Sequence, residues 1–441
     1  MEHRKCYGIM ENTIRMFRQY GNLLVRSTAL ILSVLFLLTG CVAFRPSDGV
    51  GRDTTAPVET NPPVTDPSVS DDTTDTTAEP VTNPPETEPD PPKEQRVSIL
   101  AVGDNIIHEA VFTDAKNRAA DGAEYDFVPM YEGVAQRIAA ADVAFINHES
   151  PAAGKEYGIS GYPTFNSPRE SVDALVEVGF DVINLANNHI LDKHVKGARS
   201  TVEYVQSLPV TELGVYLDEE DHNNLRITEV NGVRIAWLSF FDLTILYYTP
   251  NMDNIIIPLM DDDAKIRSAI ADAKTKADFV IVSAHWGREQ PQVTKEQKRV
   301  AELMAEAGAD VILGHHSHII QPVVWHENAD GSRTLIAYSL GNFISTQYYA
   351  NNMIGGMLTF DVVKKENGEC ALENIVFRPT VTHYSHNRDG LQLYMLENYT
   401  EDMAKLHGTT LKSNPAPFTL QWIYDHVRSV IDEAFLPEYF E

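Results

Sequence analysis

Six short apolar runs, each closing on residues that can ligate a metal or cap a turn, constrain this chain more than any other feature. They are RVSILAVGD, DVAFINHES, DVINLANNH, RIAWLSFFD, DFVIVSAHWG and DVILGHHSH. Runs of this length and β-branched content predict buried strands. Between several of them lie VPMYEGVAQRIAAA, PRESVDALVEVG, DAKIRSAIADAKTKA and TKEQKRVAELMAEAG, whose apolar residues recur at i, i+3 and i+4 as a helix requires. A proline just inside one start (SPRES) and a glycine after one end (AEAGAD) mark helix limits. Strand–helix alternation with continuously apolar strands predicts an α/β sheet covered on both faces. Later segments, TLIAYSLGNF, GGMLTFDVV and LENIVFRP, have no helices between them and predict antiparallel strands. The sheet is therefore expected to be mixed, or split into two stacked sheets. After about Asp389 the chain predicts a helical appendage that includes PFTLQWIYDHVRSVIDEAF.

The polar strand ends carry the functional signal. Asp104, then Asn147 with Glu149, then Asn188 with His189, then His285, then His316 with His318 all fall at or just past the carboxyl end of a predicted strand. Ligand sites in α/β sheets assemble at those ends, because the loops there are free to carry chemistry. One such ending is an ordinary turn. Five that mix Asp, Glu, Asn and His predict a shared pocket for metal ions, since neutral imidazole is among the commonest metal ligands. In HSH, an extended backbone would turn His316 and His318 to the same side.

The ordered motifs VGDNIIH, NHESP, NLANNHILD, AHWGRE, GHHSHIIQP and YSLGNF cover residues 97–345. Together they resemble the metallophosphoesterase superfamily and, within it, the bacterial capsule-synthesis CapA family associated with poly-γ-glutamate. The resemblance implies a metallophosphoesterase-like (calcineurin-like) α/β fold, a mixed β-sheet sandwich flanked by helices, for a domain placed at residues 96–388; the helical extension read above would take residues 389–441. The resemblance also implies metal ligation by Asp104, Glu149, Asn188, His285, His316 and His318, with Glu149 standing where the superfamily has a bridging aspartate. His285 and His316 would share one ion, and His318 would reach toward the other. His189 would face the substrate, and Asp192, three residues on, is the candidate to orient it. Asn147, Glu289, Asn342 and His108 are candidate walls of the site. His108 is also the nearest imidazole to position 106, which is Ile where the superfamily usually carries the His of Asp-x-His. Two divalent ions are expected, and a His/Asp/Asn set suits Mn, Fe or Zn better than Ca.

The chain start reads as an address. A basic segment, the apolar STALILSVLFLLTGC and the box Leu38-Thr39-Gly40-Cys41 resemble a bacterial lipoprotein signal over residues 1–41, with Cys41 lipid-modified. Residues 42–95 follow as a tether of Thr, Pro, Asp and Glu, whose composition cannot bury enough apolar surface to offset ordering. At roughly 3 Å per residue a fully extended tether of this length reaches ~150 Å. The expected location is extracytoplasmic, anchored by lipid to the bacterial cell membrane. Of the three cysteines only Cys370 would remain free, so no internal disulfide and no cysteine-based zinc site is expected.

A net charge of −28 argues against nucleic acid as a partner. It also means that an anionic substrate needs concentrated positive charge, which bound cations supply. The expected partners are an anionic polymer or a phosphorylated substrate, together with a membrane synthase or export complex. Three functions meet these terms: a metal-dependent hydrolase in capsule or polyanion biosynthesis or anchoring, a non-catalytic metal-dependent polymer-binding scaffold, and an extracellular phosphatase or nucleotidase.

Overall fold

The computed structural model describes residues 94–440 apart from 121, 247–251, 253–254 and 412–417. The leader ending at Cys41, and the tether up to its last two positions, lie outside the described residues. Among the described residues no helix is long and apolar enough to cross a membrane.

Two β-sheets take the chain in three blocks. β1 (Gln95–Asn105), β2 (Val143–His148), β3 (Val182–Asn184) and β4 (Thr211–Leu213) begin the first sheet. β5 (Arg226–Val230), β6 (Val233–Phe241), β7 (Phe279–His285), β8 (Val311–His315), β9 (Val323–Glu327) and β10 (Arg333–Ala337) form the second. β11 (Asn342–Ile344), β12 (Ile354–Lys364), β13 (Cys370–His383) and β14 (Gln392–Met395) return to the first. Strand order is β14-β13-β12-β1-β2-β3-β4 in the first sheet, with β11 paired to β1, and β5-β6-β7-β8-β10-β9 in the second. β1 to β4 are parallel, with β11 parallel to β1, and β6, β7, β8 and β10 are parallel in the second sheet; β5, β9, β12, β13 and β14 pair antiparallel with their neighbours. The fold is thus the expected mixed-sheet sandwich flanked by helices.

Side-chain alternation along the strands explains the layering. Ile281, Val311, Leu313 and Leu335 join one large core with the first sheet. Their neighbours Val280, Val282, Ile312 and Ile336 lie in a second, smaller core with Ile266 and Ile270 of the helix Asp263–Lys276 and Val300 and Met304 of the helix Lys295–Glu306. Between the sheets, Phe145 of β2 lies flat on Trp237 of β6, centroids 5.6 Å apart. Full burial of such rings contributes roughly 2–3 kcal/mol each. The helix Lys295–Glu306 starts on a capping box, Thr294 with Gln297, and Gln297 then donates to the buried Gln321 at 2.9 Å.

Two expectations are corrected here. TLIAYSLGNF is not one antiparallel strand. Its first half, in β10, runs parallel to β8 in the second sheet, and its end, in β11, runs parallel to β1 in the first. The chain changes sheets at Tyr338–Gly341, a step that needs close backbone approach. A Cβ at Gly314 would stand 2.0 Å from Tyr338 O, and one at Gly103 1.9 Å from Gly341 O. Residues past Asp389 are also not helical throughout. β14 first adds an edge to β13, and helices Glu401–Leu406 and Leu420–Val430 follow.

Gly103 sits inside a bulge: Ala101 pairs with Phe145, yet Asp104 pairs with Asn147. The extra residue re-aims the strand end immediately before Asp104, as bulges beside functional sites do. A methyl at position 103 meets backbone rather than a flexible side chain. Gly103→Ala is therefore expected to destabilise the protein by about 3 kcal/mol or more, read as a lower urea midpoint; an unchanged midpoint would contradict this packing.

Candidate metal centre

Parallel register assembles the site. Asp104 lies opposite Asn147, Asn147 opposite Asn184, and on the other side Asp104 opposite Asn342. Four strands of the first sheet thus deliver one row of polar side chains. In the second sheet Phe241, His285 and His315 form a matching row. Asn184 joins the rows: its Nδ2 donates to Asn147 Oδ1 at 2.8 Å, and its Oδ1 accepts from Ser239 of β6 at 2.7 Å. Asn147 in turn donates from Nδ2 to Asp104 Oδ1 at 2.8 Å and to Glu149 Oε2 at 3.2 Å. Asp104, Asn147, Glu149 and His285 are all 0 % exposed.

β8 ends at His315, and the segment after it departs from the extended form expected for HSH. His316 and His318 both have left-handed backbone, with φ of 86° and 59°. This is a tight turn in which residues i and i+2 do not project as they would from a strand. The turn is held rather than loose. His316 N–H donates to Asp104 Oδ2 at 3.2 Å, Ser317 donates to Ile319 O at 2.8 Å, and Asn352 Nδ2 donates to His318 O at 3.0 Å. Asn342 fixes Asn352 by donating to its carbonyl at 3.0 Å. Left-handed backbone outside glycine costs roughly 1–3 kcal/mol per residue and concentrates at functional sites.

Two sets of donor atoms come within 4.8 Å of one another: Asp104, Glu149 and His285 in one, Glu149, His316 and His318 in the other. Glu149 belongs to both. These sets group His316 with His318 and His285 with Asp104, and the His285 and His316 rings also lie close, centroids 5.0 Å apart. Asn188 reaches the first set through its Oδ1, 2.8 Å from His285 Nε2. His315 brings Nδ1 to 3.5 Å from Asp104 Oδ1 while stacking on Phe145.

The electrostatics fit a cation. Burial favours protonation of Asp104, but hydrogen bonds and charge from His315 and His318 outweigh it and hold the carboxyl well below its usual range. Burial, and then the adjoining Asp104 charge, push Glu149 well above. Burial, then His316, keep His285 well below its usual value, and burial with His318 lowers His316 to about 3. Both imidazoles are consequently neutral, the form that ligates a metal. Glu149 Oε1 and His316 Nδ1 are buried without a hydrogen-bond partner. Unpaired buried acceptors of this kind are costly and call for an unseen partner. A divalent cation would satisfy carboxylate and imidazole at once.

Beside the cluster opens a cavity of about 430 Å³ lined by His108, His189, His318, Glu289 and a group of tyrosines. His189 Nδ1 lies 2.9 Å from Asp192 Oδ2, which also accepts from Phe165 N at 2.7 Å. The Phe165 ring meets His189 edge-on at 4.6 Å. His108 lines the cavity with Nδ1 3.4 Å from Thr346 N, outside both donor sets. Glu289 is exposed at the rim. Asn342 lies at the base beside Asp104. Reading the sequence missed Asn184 and Ser239, because a lone Asn or Ser inside a strand carries no motif. It missed Asn352 and Arg388, which lie outside the strand endings. The repeated Asn that closes β2 and β3, Asn147 and Asn184, was the one signal available.

The model of the family described as bacterial capsule synthesis protein PGA_cap matches residues 98–347. The capsule biosynthesis protein CapA of Bacillus anthracis is 31% identical over 212 residues, 47% of this chain and 50% of that protein. The PGA biosynthesis protein CapA of Bacillus subtilis is 32% identical over 203 residues, 45% of this chain and 52% of that one. The chain thus spans about half the length of the curated relatives it matches. Among solved structures, the NAD nucleotidase of Haemophilus influenzae aligns with 76% of this chain and 60% of its own, at 13% identity and a TM-score of 0.41.

The buried imidazoles set the acid limit of the fold. Burial lowers His148 to about 4 and His407 to about 3, alongside His316 near 3, against 6.5 when unfolded. Below about pH 6.5 the unfolded chain binds more protons at these sites, so stability falls by about 1.4 kcal/mol per pH unit for each. Glu149, Glu212 raised by burial to about 7, and His318 raised by Asp104 act in the opposite sense, but His108 and His285 add to the imidazole side. The EDTA-treated protein should therefore lose unfolding free energy in urea between about pH 7 and pH 5. A flat or rising profile would mean these imidazoles are not held neutral.

Proposed function

Because the chain belongs to the bacterial capsule synthesis family PGA_cap, we propose that it is a metal-dependent hydrolase of capsule assembly or anchoring. In this reading it acts on an anionic polymer of the poly-γ-glutamate kind or on its phosphorylated precursor. The names of the Bacillus relatives support the polymer. The observation that carries the metal chemistry is Glu149 Oε1, a buried carboxylate oxygen without a hydrogen-bond partner that belongs to both donor sets. Two ions of the Mn, Fe or Zn kind suit these ligands: Asp104, Glu149, His285 and Asn188 for one, Glu149, His316 and His318 for the other.

When bound, such ions supply positive charge that polarises a phosphoryl or carbonyl oxygen. The protein's own residues do the rest. Asn147 keeps both carboxylates aimed inward, as outer hydrogen bonds to metal ligands do. Asp192 holds His189 through Nδ1, leaving Nε2 as the atom that exchanges a proton with a leaving oxygen in the cavity. Lipid modification of Cys41 and an acidic tether would fix the domain outside the cell membrane, within reach of a polymer synthase or exporter. The strongly acidic chain would repel its own polymer except where cationic groups gather at the site.

In the full-length protein, His189→Ala is expected to keep its metal, by elemental analysis, and to lose at least ~100-fold in turnover. Substrates for this comparison are a phosphate ester, a phosphodiester and γ-linked polyglutamate. Asp104→Ala is expected to lose metal and turnover together. Wild-type protein carrying full metal yet turning over none of the three would exclude the hydrolase and leave a polymer-binding role.

A further inference from the structure

The cavity beside His189 contains one guanidinium, and its setting is built. Arg388 stands in the turn after β13, with its Cζ 4.0 Å from the centroid of the Tyr348 ring. Its Nη2 is closed off from solvent and has no hydrogen-bond partner. An unpaired, desolvated N–H of a charged group is expensive unless a ligand completes it. The turn around it is anchored at both ends. Tyr384 donates to Gln347 O at 2.8 Å, Arg388 N–H donates to Ser385 O at 2.9 Å, and the Ser385 hydroxyl donates to the Asp389 carboxylate. Beyond the turn, Gly390 and Leu391 donate backbone N–H groups to the buried carboxylate of Asp114 at 2.9 and 3.0 Å. Arg388 itself takes left-handed backbone, φ 62°, within this frame.

We infer that Arg388 is the substrate-recognition group of the cavity and that it binds a carboxylate on the acidic polymer, so that the neighbouring linkage lies at His189. This rests on the function proposed above and names what its site would hold. A planar guanidinium matches a carboxylate through paired N–H donors. Of the other titratable groups at this wall, Glu109 and Glu289 are acidic, and the His318 imidazole is already paired with Asp104 at 3.0 Å. The two glutamates oppose a dianionic phosphate and leave one guanidinium to match one singly charged carboxylate. Tyr162 and Tyr349 are exposed at 76 % and 61 %, and both line the same cavity. Their rings offer amphipathic faces to the methylenes between successive acidic groups. Arg388 lies beyond residues 98–347, so it stands outside the stretch matched by the family model.

The test is calorimetric titration of full-length, EDTA-stripped protein with a γ-linked glutamate oligomer, its side-chain amidated analogue and inorganic phosphate. Removing metal prevents the cluster from supplying the carboxylate site. The expected result is at least tenfold weaker binding of the acidic oligomer by Arg388→Met, an intermediate loss in Arg388→Lys, and equally weak binding of the amidated oligomer by all forms. The lysine variant keeps the charge and so separates lost recognition from lost folding. Equal affinity of wild type and Arg388→Met for the acidic oligomer overturns this inference and leaves the proposed function standing. Binding of phosphate alone, or of none of the three, by wild type overturns this inference and leaves the proposed function to the turnover of the metal-loaded protein. Arg388-dependent binding without any cleavage by metal-loaded protein keeps the inference and removes the hydrolase.

Discussion

Asn147 donates from a single amide nitrogen to two buried carboxylates, Asp104 and Glu149, and accepts from Asn184 on its other side. It can do so only because β1, β2 and β3 are parallel and in one register at their carboxyl ends. A slip of one residue in any of the three would turn these side chains to the opposite face. The register is in turn tied to the second sheet by Ser239 on Asn184 and by Phe145 lying flat on Trp237. Sheet stacking, strand register and the site are thus one arrangement. Loosening any part of it moves the carboxylates.

That arrangement is costly without a cation. Two carboxylates share a dry space, and among the imidazoles beside them His318 is the one whose proton affinity is raised, because the Asp104 hydrogen bond and charge overcome its burial. His285 and His316 are held neutral, so they contribute lone pairs rather than compensating charge. Two left-handed backbones add local strain in the same turn. Holding a buried carboxyl away from its ionised form and leaving buried polar atoms without partners both cost stability. The continuous apolar core running from both sheets into the flanking helices is what lets the fold carry such a site. A feature this unfavourable to packing, concentrated where strand ends converge, belongs to function rather than to stability.

The strands were legible because burial on both faces leaves unbroken apolar runs, and their last residues stood out against that background. Asp104, Asn147, Glu149 and His285 all meet where the runs DVAFINHES and DFVIVSAHWG and their partner end. What could not be read was anything set by pairs distant in sequence. YSLGNF looks continuous, but its passage between sheets depends on Gly103 and Gly314, residues far from it in the chain that leave room for its carbonyls. HSH looks extended because His-Ser-His carries no turn signal; its left-handed bends are imposed by Asp104 and Asn352. Arg388 sits in HNRDG, an ordinary turn composition, and only the folded chain brings it to Tyr348.

This separation in sequence has a physical consequence for how the site is built. The metal-type residues come from rigid strand ends and one tight turn, where displacement of a ligand by a fraction of an ångström would be felt. The arginine and tyrosines of the cavity come from connections at the edge, Ser345–Tyr349 and Tyr384–Gly390, joined by the Tyr384 to Gln347 hydrogen bond. Gln347 also accepts from Asn342, which touches the base of the cluster through Asn352 and His318. The recognition wall is therefore coupled to the cluster by a short chain of amides rather than shared with it. Changes in that wall can reshape the cavity while leaving the parallel register, and with it the carboxylate pair, where it is.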